Sequence, residues 1–317
     1  NLYIFINLKN FDKNFLINSN GNIPIYKRKL FWLIISIIIL VIIIIIIIVV
    51  STGDSKKDNQ QNEKNEYIPY MCLDENNKPS KNCLGGWFYH LSDNIPEYNA
   101  KFAKSKNWNF VLLSLNVNSQ RTINNIKAFR NQSISVHFMI LQDNDYLYDI
   151  QKAYNKIEEV LIYVNNNNLD IQGIHIDVEP HATDEWKSGD LEIRKEIFQN
   201  YTKILELCRK AINKYRPNIT FSAAVGWFYS SKTKKNEIYD GKGNDLVDKD
   251  KLDFIIPMIY DGAGNNLDDI LKHSEDYLED KANTVIGLAV KDHKDNLDNI
   301  INQVIENRKN SNYFCGI

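Results

Sequence analysis

The chain has 317 residues, of which 44 % are hydrophobic, and it carries 38 Lys and Arg against 40 Asp and Glu. This composition fits one globular domain with appendages. A net charge of -2, without a basic patch that interleaves aromatic residues, excludes nucleic acid as a predicted partner. The chain begins with Asn1, and the residues from Tyr313 to Ile317 are typical of an interrupted strand. We therefore expect a fragment whose last strand is truncated.

An unbroken apolar run extends from Leu30 to Val50. As a helix, its 21 residues would be about 30 Å long, which matches the hydrocarbon core of a bilayer. Lys27, Arg28 and Lys29 directly precede the run, which predicts a cytosolic tail over residues 1–29 and a single-pass type II orientation. A cleaved signal peptide is the alternative, although its apolar region would be shorter, at about 7–15 residues. We expect a transmembrane signal-anchor helix that contacts the lipid bilayer through residues 30–50.

Residues 51–70 are polar and poor in apolar side chains, which predicts a flexible stem. Within residues 71–85, Cys72 and Cys83 flank a polar stretch, which predicts a loop closed by a disulfide and hence an oxidising compartment. Three sequons after the apolar run indicate N-glycosylation, at Asn131, Asn200 and Asn218. The sequence therefore predicts a luminal or extracellular C-terminal domain.

From Gly86 onward, apolar runs typical of strands alternate with stretches of helical spacing. The predicted strands are Trp87–His90, Phe110–Asn116, Ile134–Leu141, Ile171–Glu179, Thr220–Trp227, Phe254–Tyr260, Thr284–Val290 and an eighth from Phe314. The clearest helices are predicted over Asp149–Val164, Arg194–Tyr215, Leu267–Leu278 and Leu297–Asn307. This α/β alternation over residues 86–317 favours a (β/α)8 TIM barrel. Because no Gly-rich phosphate loop follows the first strand, a dinucleotide-binding fold is disfavoured, and we expect no cofactor.

The stretch from Ile171 to Pro180 carries the strongest functional signal. Read with a period of two, one face is apolar and the other carries His175, Asp177 and Glu179. Unpaired buried charge costs several kcal/mol or is neutralised by a pKa shift, so such a face has no favourable place in an apolar core. The pattern predicts that these side chains line a solvated cleft.

Polar and aromatic side chains also follow or end other predicted strands, and the active site of a (β/α)8 barrel lies at the carboxyl ends of its strands. They are Met258, Tyr260 and Asp261 at the sixth strand, Trp87 and Tyr89 at the first, and Trp227 at the fifth. Aromatic faces of this kind stack against a pyranose ring. In the alternative interpretation, Tyr260 and Asp261 form only a turn and the three other aromatic residues belong to the core.

These strand ends resemble glycoside hydrolase family 18, the chitinase and endo-N-acetylglucosaminidase group. The family's fourth-strand signature, D-G-x-D-x-D-x-E, is similar to residues 172–179, although Gln172 and His175 replace its first two Asp. Its sixth-strand signature, M-x-Y-D, is matched completely by Met258 to Asp261. The resemblance implies a TIM barrel that hydrolyses glycosidic bonds in a carbohydrate substrate, and it covers the chain from about Gly86 to the end.

The resemblance also implies a role for each matched residue. Glu179 would be the general acid that protonates the glycosidic oxygen. Asp177 would hold the 2-acetamido group of the substrate, whose carbonyl oxygen attacks the anomeric carbon, and Tyr260 would donate a hydrogen bond to the resulting oxazolinium. At the place of a signature Asp, His175 is expected to hydrogen-bond Asp177 and hold it ionised. The residues predicted to contact the substrate are His175, Asp261, Met258, Trp87, Tyr89 and Trp227.

Four alternatives remain open at the sequence level. Asp177 and Glu179 can be structural, each paired with a basic side chain. Together with His175 they can also ligate zinc or manganese, although the lack of a second His-rich cluster leads us to expect no metal. A retaining glycosidase of another barrel family would use Glu179 with a nucleophile at the seventh strand, for which Asp292 is the candidate. Finally, the chain can be a non-catalytic carbohydrate-binding protein on a decayed barrel.

Overall fold

The structure is a computed structural model of the chain. It describes residues 67–89, 95–114, 116–235, 237–238, 251–260 and 262–317. The predicted cytosolic tail, the predicted signal-anchor helix and the stem as far as residue 66 lie outside these residues. Within the described ranges, no helix combines the length and the apolar character needed to cross a bilayer.

Eight parallel strands form one sheet in which each strand pairs with the next in chain order. They are β1 (Gly85–Phe88), β2 (Phe110–Ser114), β3 (Ser135–Ile140), β4 (Gly173–Ile176), β5 (Thr220–Gly226), β6 (Phe254–Met258), β7 (Thr284–Val285) and β8 (Phe314–Gly316). The sheet closes on itself because the Ile317 N–H donates to the Cys83 carbonyl (2.8 Å) and the Gly85 N–H donates to the Ile317 carbonyl (3.0 Å). The predicted (β/α)8 barrel is therefore confirmed.

Helices cover the outside of this sheet. They are α1 (Pro96–Ser105), α2 (Gln120–Asn131), α3 (Ile150–Asn166), α4 (Asp184–Lys187), α5 (Leu191–Tyr215), α6 (Tyr229–Lys234), α7 (Leu267–Glu279), α8 (Val290–His293) and α9 (Leu297–Arg308). The longest, α5, begins where the Asp190 side chain accepts the N–H groups of Glu192 and Ile193, and it ends just before Pro217, which cannot continue a helix.

The helices bury one apolar face each against the sheet. In α5 the buried residues recur every three or four positions, for example at Ile197, Tyr201, Ile204 and Cys208. This spacing aligns them on one side of the helix. Each fully buried Leu or Ile in this layer contributes roughly 1.5 to 3 kcal/mol from the removal of apolar surface from water.

A short N-terminal ribbon seals the amino-terminal end of the barrel. Its strands, Cys72–Leu73 and Pro79–Ser80, are antiparallel, and the predicted disulfide joins Cys72 to Cys83. Met71 is fully buried, and its carbonyl lies 2.8 Å from Nε2 of His137 inside the barrel. The ribbon therefore forms a closed floor, and the carboxyl ends of the strands form the open face.

Candidate active site

The fourth strand aims its polar face along the barrel interior. Gly173 is needed at its base because a Cβ atom there would lie 2.2 Å from Nδ1 of His137 and 2.8 Å from the Thr220 carbonyl oxygen. His175 follows on the same face and is fully buried. The strand ends at Ile176, and Asp177 and Glu179 follow it at the open face, with Glu179 directly before the 3-10 helix Pro180–Ala182. This is the placement that the sequence predicts for them.

Asp177 is buried, with 7 % of its surface exposed. The Tyr89 hydroxyl donates to its Oδ2 (2.9 Å), whereas its Oδ1 has no hydrogen-bond partner among the described residues. Burial raises the pKa of Asp177, and the hydrogen bond from Tyr89 partly opposes that rise. Burial and the neighbouring Asp177 charge in turn raise the pKa of Tyr89, with smaller contributions from Tyr260 and Glu179.

Glu179 is half-buried beside Asp177, with 31 % of its side chain exposed. Its backbone N–H donates to Oδ1 of Asn144 (2.8 Å), which lies in the 3-10 helix Asn144–Leu147 after β3. This contact fixes the loop that carries the carboxyl group. Burial raises the pKa of Glu179 to about 7, and the Asp177 charge adds to the effect. Two adjacent carboxyl groups thus differ in burial, and a pKa of about 7 lets the Glu179 carboxyl group hold a proton near neutral pH.

The structure corrects the expectation that His175 hydrogen-bonds Asp177. Both ring nitrogens of His175 face other groups, since Nε2 accepts from Nε1 of Trp87 (3.4 Å) and Nδ1 lies 2.9 Å from Oγ of Ser222. Burial, with a smaller effect of the neighbouring His137, lowers the pKa of His175 to about 3. The imidazole is therefore neutral. It lies inside the barrel, deeper than Asp177, and packs beside Trp87.

At the sixth strand, the Tyr260 hydroxyl donates to Sδ of Met258 (2.8 Å), and Met258 is buried. Tyr260 closely follows the carboxyl end of β6, which ends at Met258. The predicted site residue Asp261 lies outside the described residues. Strand β6 therefore brings Tyr260 to the same open face as Asp177.

Trp227 does not join this group. It follows Gly226 with its side chain on the helix side of the sheet, where its ring lies 3.9 Å from the ring of His273 in α7 and 5.4 Å from that of Phe228. The alternation of β5 explains this direction, because Ser222 faces the barrel interior and Trp227 is an odd number of residues away. Asp292, the alternative nucleophile, lies in α8 after β7.

A cavity of about 570 Å³ opens beside the loop that carries Asn144. It lies at the carboxyl ends of β2 and β3 and extends to α3. Polar residues at its wall are Ser114, Asn116, Gln142, Asp143, Tyr146 and Lys156. Its size and mixed lining suit a small polar ligand. Among the described residues, no group of three or more His, Cys, Asp and Glu side chains is arranged to hold a metal ion.

Sequence reasoning missed three of the groups that shape the site. They are Asn144 after β3, Ser222 in β5 and Tyr229 in α6. Asn144 carries a usable signal, because it closely follows a strand end of a predicted barrel. Tyr229 carries none, since its contact with His181 joins residues 48 positions apart.

No protein-family model matches the chain, and no curated protein matches it in sequence. The structure is similar to that of a GH18 chitinase from Pseudoalteromonas aurantia, with a TM-score of 0.50 and 17 % identity, covering 74 % of this chain and 92 % of that chain. The PgaB (BpsB) glycoside hydrolase domain from Bordetella bronchiseptica gives a TM-score of 0.49 and 8 % identity, covering 74 % and 92 %. A chitinase from Chromobacterium violaceum ATCC 12472 gives 0.44 and 14 %, covering 64 % and 68 %.

At 17 % identity, the similarity to the Pseudoalteromonas aurantia chitinase concerns the fold and not individual residues. The remote resemblance to glycoside hydrolase family 18, which two strand-end motifs predict from the sequence, is confirmed at the level of this barrel fold.

Proposed function

We propose that this chain is a glycoside hydrolase that cleaves glycans containing N-acetylhexosamine by substrate-assisted catalysis, with Glu179 as the general acid. The environment of Glu179 supports this most directly. It is a half-buried carboxyl group at the open face of the barrel, and burial beside Asp177 raises its pKa to about 7. Such a group stays protonated in mildly acidic solution and gives its proton to the glycosidic oxygen as the bond breaks.

The nucleophile in this scheme is the carbonyl oxygen of the substrate's own 2-acetamido group. It bonds to the anomeric carbon while the leaving oxygen takes the proton of Glu179, and an oxazolinium ion forms. Asp177 accepts the amide N–H of that group, for which its unpartnered Oδ1 is a suitable acceptor once the carboxylate turns toward the cleft. Tyr260 donates to the acetamido group. Water then adds to the anomeric carbon and returns a proton to Glu179.

The test is hydrolysis of aryl glycosides, with and without an N-acetyl group, by the full-length chain. We expect turnover of the N-acetylated substrates and a loss of roughly 10²- to 10⁴-fold in Glu179→Gln, the usual contribution of a general acid. Glu185→Gln is the matched control, because Glu185 is an exposed carboxylate in α4 bonded to the Tyr148 hydroxyl. It should retain the parental rate.

Three outcomes would contradict the proposal. A folded chain that hydrolyses no glycoside indicates the carbohydrate-binding alternative, and unchanged turnover in Glu179→Gln removes the acid. Hydrolysis that ignores the N-acetyl group and falls equally in Asp292→Asn and Glu179→Gln indicates the retaining two-carboxylate mechanism instead.

We also propose a location for the domain. The domain faces the lumen or the outside of the cell and is held at the membrane by residues 30–50. The disulfide between Cys72 and Cys83 and the exposed positions of Asn131 and Asn218 support an oxidising compartment with access to N-glycosylation. A glycosidase that removes N-glycans should increase the gel mobility of the protein made in its native membrane. Unchanged mobility together with cleavage of the domain by protease from the cytosolic side would refute this location.

A further inference from the structure

His181 lies two residues beyond Glu179, in the 3-10 helix Pro180–Ala182, and its ring is fixed by its neighbours. The rings of Phe228 and Tyr229 contact it edge to face, each with a centroid distance of 5.6 Å. Nδ1 lies 2.7 Å from the Tyr229 hydroxyl oxygen, and Nε2 lies 3.7 Å from Oε2 of Glu179. One ring nitrogen is thus held by a buried tyrosine while the other faces the candidate acid.

The hydrogen bonds of Tyr229 indicate which nitrogen carries the proton. The backbone N–H of His181 donates to the Tyr229 hydroxyl oxygen (3.3 Å). Because the oxygen already accepts that N–H, we infer that the hydroxyl hydrogen is directed to Nδ1 of His181 and that Nδ1 accepts. The single proton of the neutral imidazole then sits on Nε2, directed at Glu179. Burial, with a contribution from the Lys187 charge, lowers the pKa of His181 to about 4, so the ring is neutral above that pH.

Resting on the proposed function, we propose that His181 is a positioning residue whose Nε2–H holds the Glu179 carboxylate between the two steps of the reaction. A separation of 3.7 Å exceeds a normal N–H···O hydrogen bond. It shortens when Glu179 loses its proton, because an ionised acceptor attracts the donor more strongly. His181 keeps its own proton throughout, and the proton that Glu179 gives to the leaving oxygen returns to it from water.

A hydrogen bond from His181 would lower the pKa of Glu179, whereas the other influences on that pKa raise it. Burial and Asp177 both favour the protonated acid, whereas a hydrogen bond to the carboxylate favours the ionised base. Other titratable groups near the pair, among the described residues, are the Lys187 ammonium in α4 and three tyrosines that are neutral because burial raises their pKa values. These tyrosines are Tyr89, Tyr201 and Tyr229. His181 therefore keeps the pKa of Glu179 low enough for the same group to serve as the base in the second step.

The test is NMR on the full-length chain in detergent micelles, and it needs no turnover. Ring ¹⁵N shifts report the tautomer of His181, assigned by its loss in His181→Phe. Carboxyl ¹³C shifts report the titration of Glu179, assigned with Glu179→Gln. We expect the Nε2–H tautomer in the parent chain. His181→Phe should raise the pKa of Glu179 by roughly 1 to 2 units, the value of one hydrogen bond to the charged form. His181→Gln, which keeps an N–H donor, should reverse most of that shift.

His273→Phe is the matched control, because His273 is also half-buried between aromatic and helical neighbours but contacts Trp227. It should leave the titration of Glu179 unchanged. An Nδ1–H tautomer in the parent chain, or an unchanged pKa of Glu179 in His181→Phe, overturns the proposal. If His181→Phe fails to fold, His181→Gln assigns the His181 ring signals, and the tautomer of the parent chain decides the proposal. If His181→Phe shifts the pKa of Glu179 but the parent chain hydrolyses no glycoside, the contact between His181 and Glu179 is supported and the proposed function is overturned. In an active chain, the alkaline limb of kcat/KM should move upward with the Glu179 pKa.

Discussion

Acid should unfold this barrel at a higher pH than the titration of its carboxylates alone predicts, because two fully buried histidines are neutral in the folded state. Burial lowers the pKa of His137 to about 4, and burial with a smaller effect of His137 lowers that of His175 to about 3. Both groups return to about 6.5 when the chain unfolds. Between these values the unfolded chain binds protons that the folded chain does not, so stability is present above pH 6.5 and is lost as the pH falls toward 4.

The size of the effect follows from linkage. Each histidine contributes about 1.4 kcal/mol per pH unit in this window, so the two together remove on the order of 4 kcal/mol between pH 8 and pH 5. Typical domains have only about 5 to 15 kcal/mol of stability in total. The loss is therefore large enough to approach unfolding near pH 5.

Urea denaturation of the full-length chain at several pH values between 5 and 8 measures this slope. His137→Gln and His175→Gln should each reduce the pH dependence of the free energy of unfolding by about 1.4 kcal/mol per pH unit below pH 6. The carboxylates titrate in parent and variant alike, so the difference isolates the histidine. If both variants keep the parental slope, the histidines are not neutral in the folded state and the reasoning fails.

Three further predictions concern single contacts. Tyr89→Phe removes the hydroxyl bonded to the buried carboxylate at 2.9 Å, so kcat/KM should fall roughly 10- to 100-fold and the free energy of unfolding should fall by about 1 to 3 kcal/mol. An unchanged rate would exclude a role for this hydrogen bond. Gly173→Ala drives a Cβ to 2.2 Å from the ring of His137 and should cost roughly 3 kcal/mol in urea unfolding, whereas a neutral effect would mean that the interior is loosely packed. Replacing Cys72 and Cys83, 11 residues apart, with Ser should lower the free energy of unfolding, measured by calorimetry, by about 2 to 3 kcal/mol. An unchanged value would show that the N-terminal ribbon does not depend on the disulfide.

The sequence predicts the barrel well because its signal is periodic. Seven of the eight predicted strands contain an observed one, whereas the first, predicted over Trp87–His90, only overlaps the observed Gly85–Phe88. The four predicted helices match α3, α5, α7 and α9 within a few residues. The largest error is at the seventh strand, predicted over Thr284–Val290 and observed over Thr284–Val285. Beyond it, Gly287 lies against the ring of Trp87 and the chain turns into α8, which apolar composition alone does not reveal.

Contacts across the barrel mouth are not encoded in any local pattern. Asn144 reaches the Glu179 backbone from 35 residues away, and Tyr229 reaches His181 from 48 residues away. The direction of Trp227 is encoded, because an alternation counted from an inward residue places it outside. To use this alternation, however, one residue of the strand must be known to face the barrel interior. The sequence does not show that Ser222 faces inward; only its contact with His175 in the structure does.

The two departures from the family 18 signature now have separate physical explanations. Gln172 directly precedes β4, at its amino-terminal end, and its Oε1 accepts the Val136 N–H (2.8 Å). Its side chain therefore stabilises the pairing of β3 and β4 at the end of the barrel opposite the cleft. His175 replaces a charge with a neutral ring below Asp177, and the Tyr89 hydroxyl contacts that carboxylate instead. Neither substitution removes a group from the open face.

The same buried groups also limit the pH range of the proposed chemistry. Glu179 acts as an acid below its pKa of about 7, whereas the neutral histidines in the interior stabilise the fold less and less as the pH falls below 6.5. Activity should therefore rise from pH 8 to about 6.5 as Glu179 is protonated and should fall near pH 5 as the barrel unfolds. The alkaline limb of the pH-rate profile comes from Glu179 and the acidic limb from unfolding, so a substitution can move one limb without the other. Removing His137 should extend the acidic limb of a pH-rate profile and leave the alkaline limb in place, and movement of both limbs together would show that one group controls them.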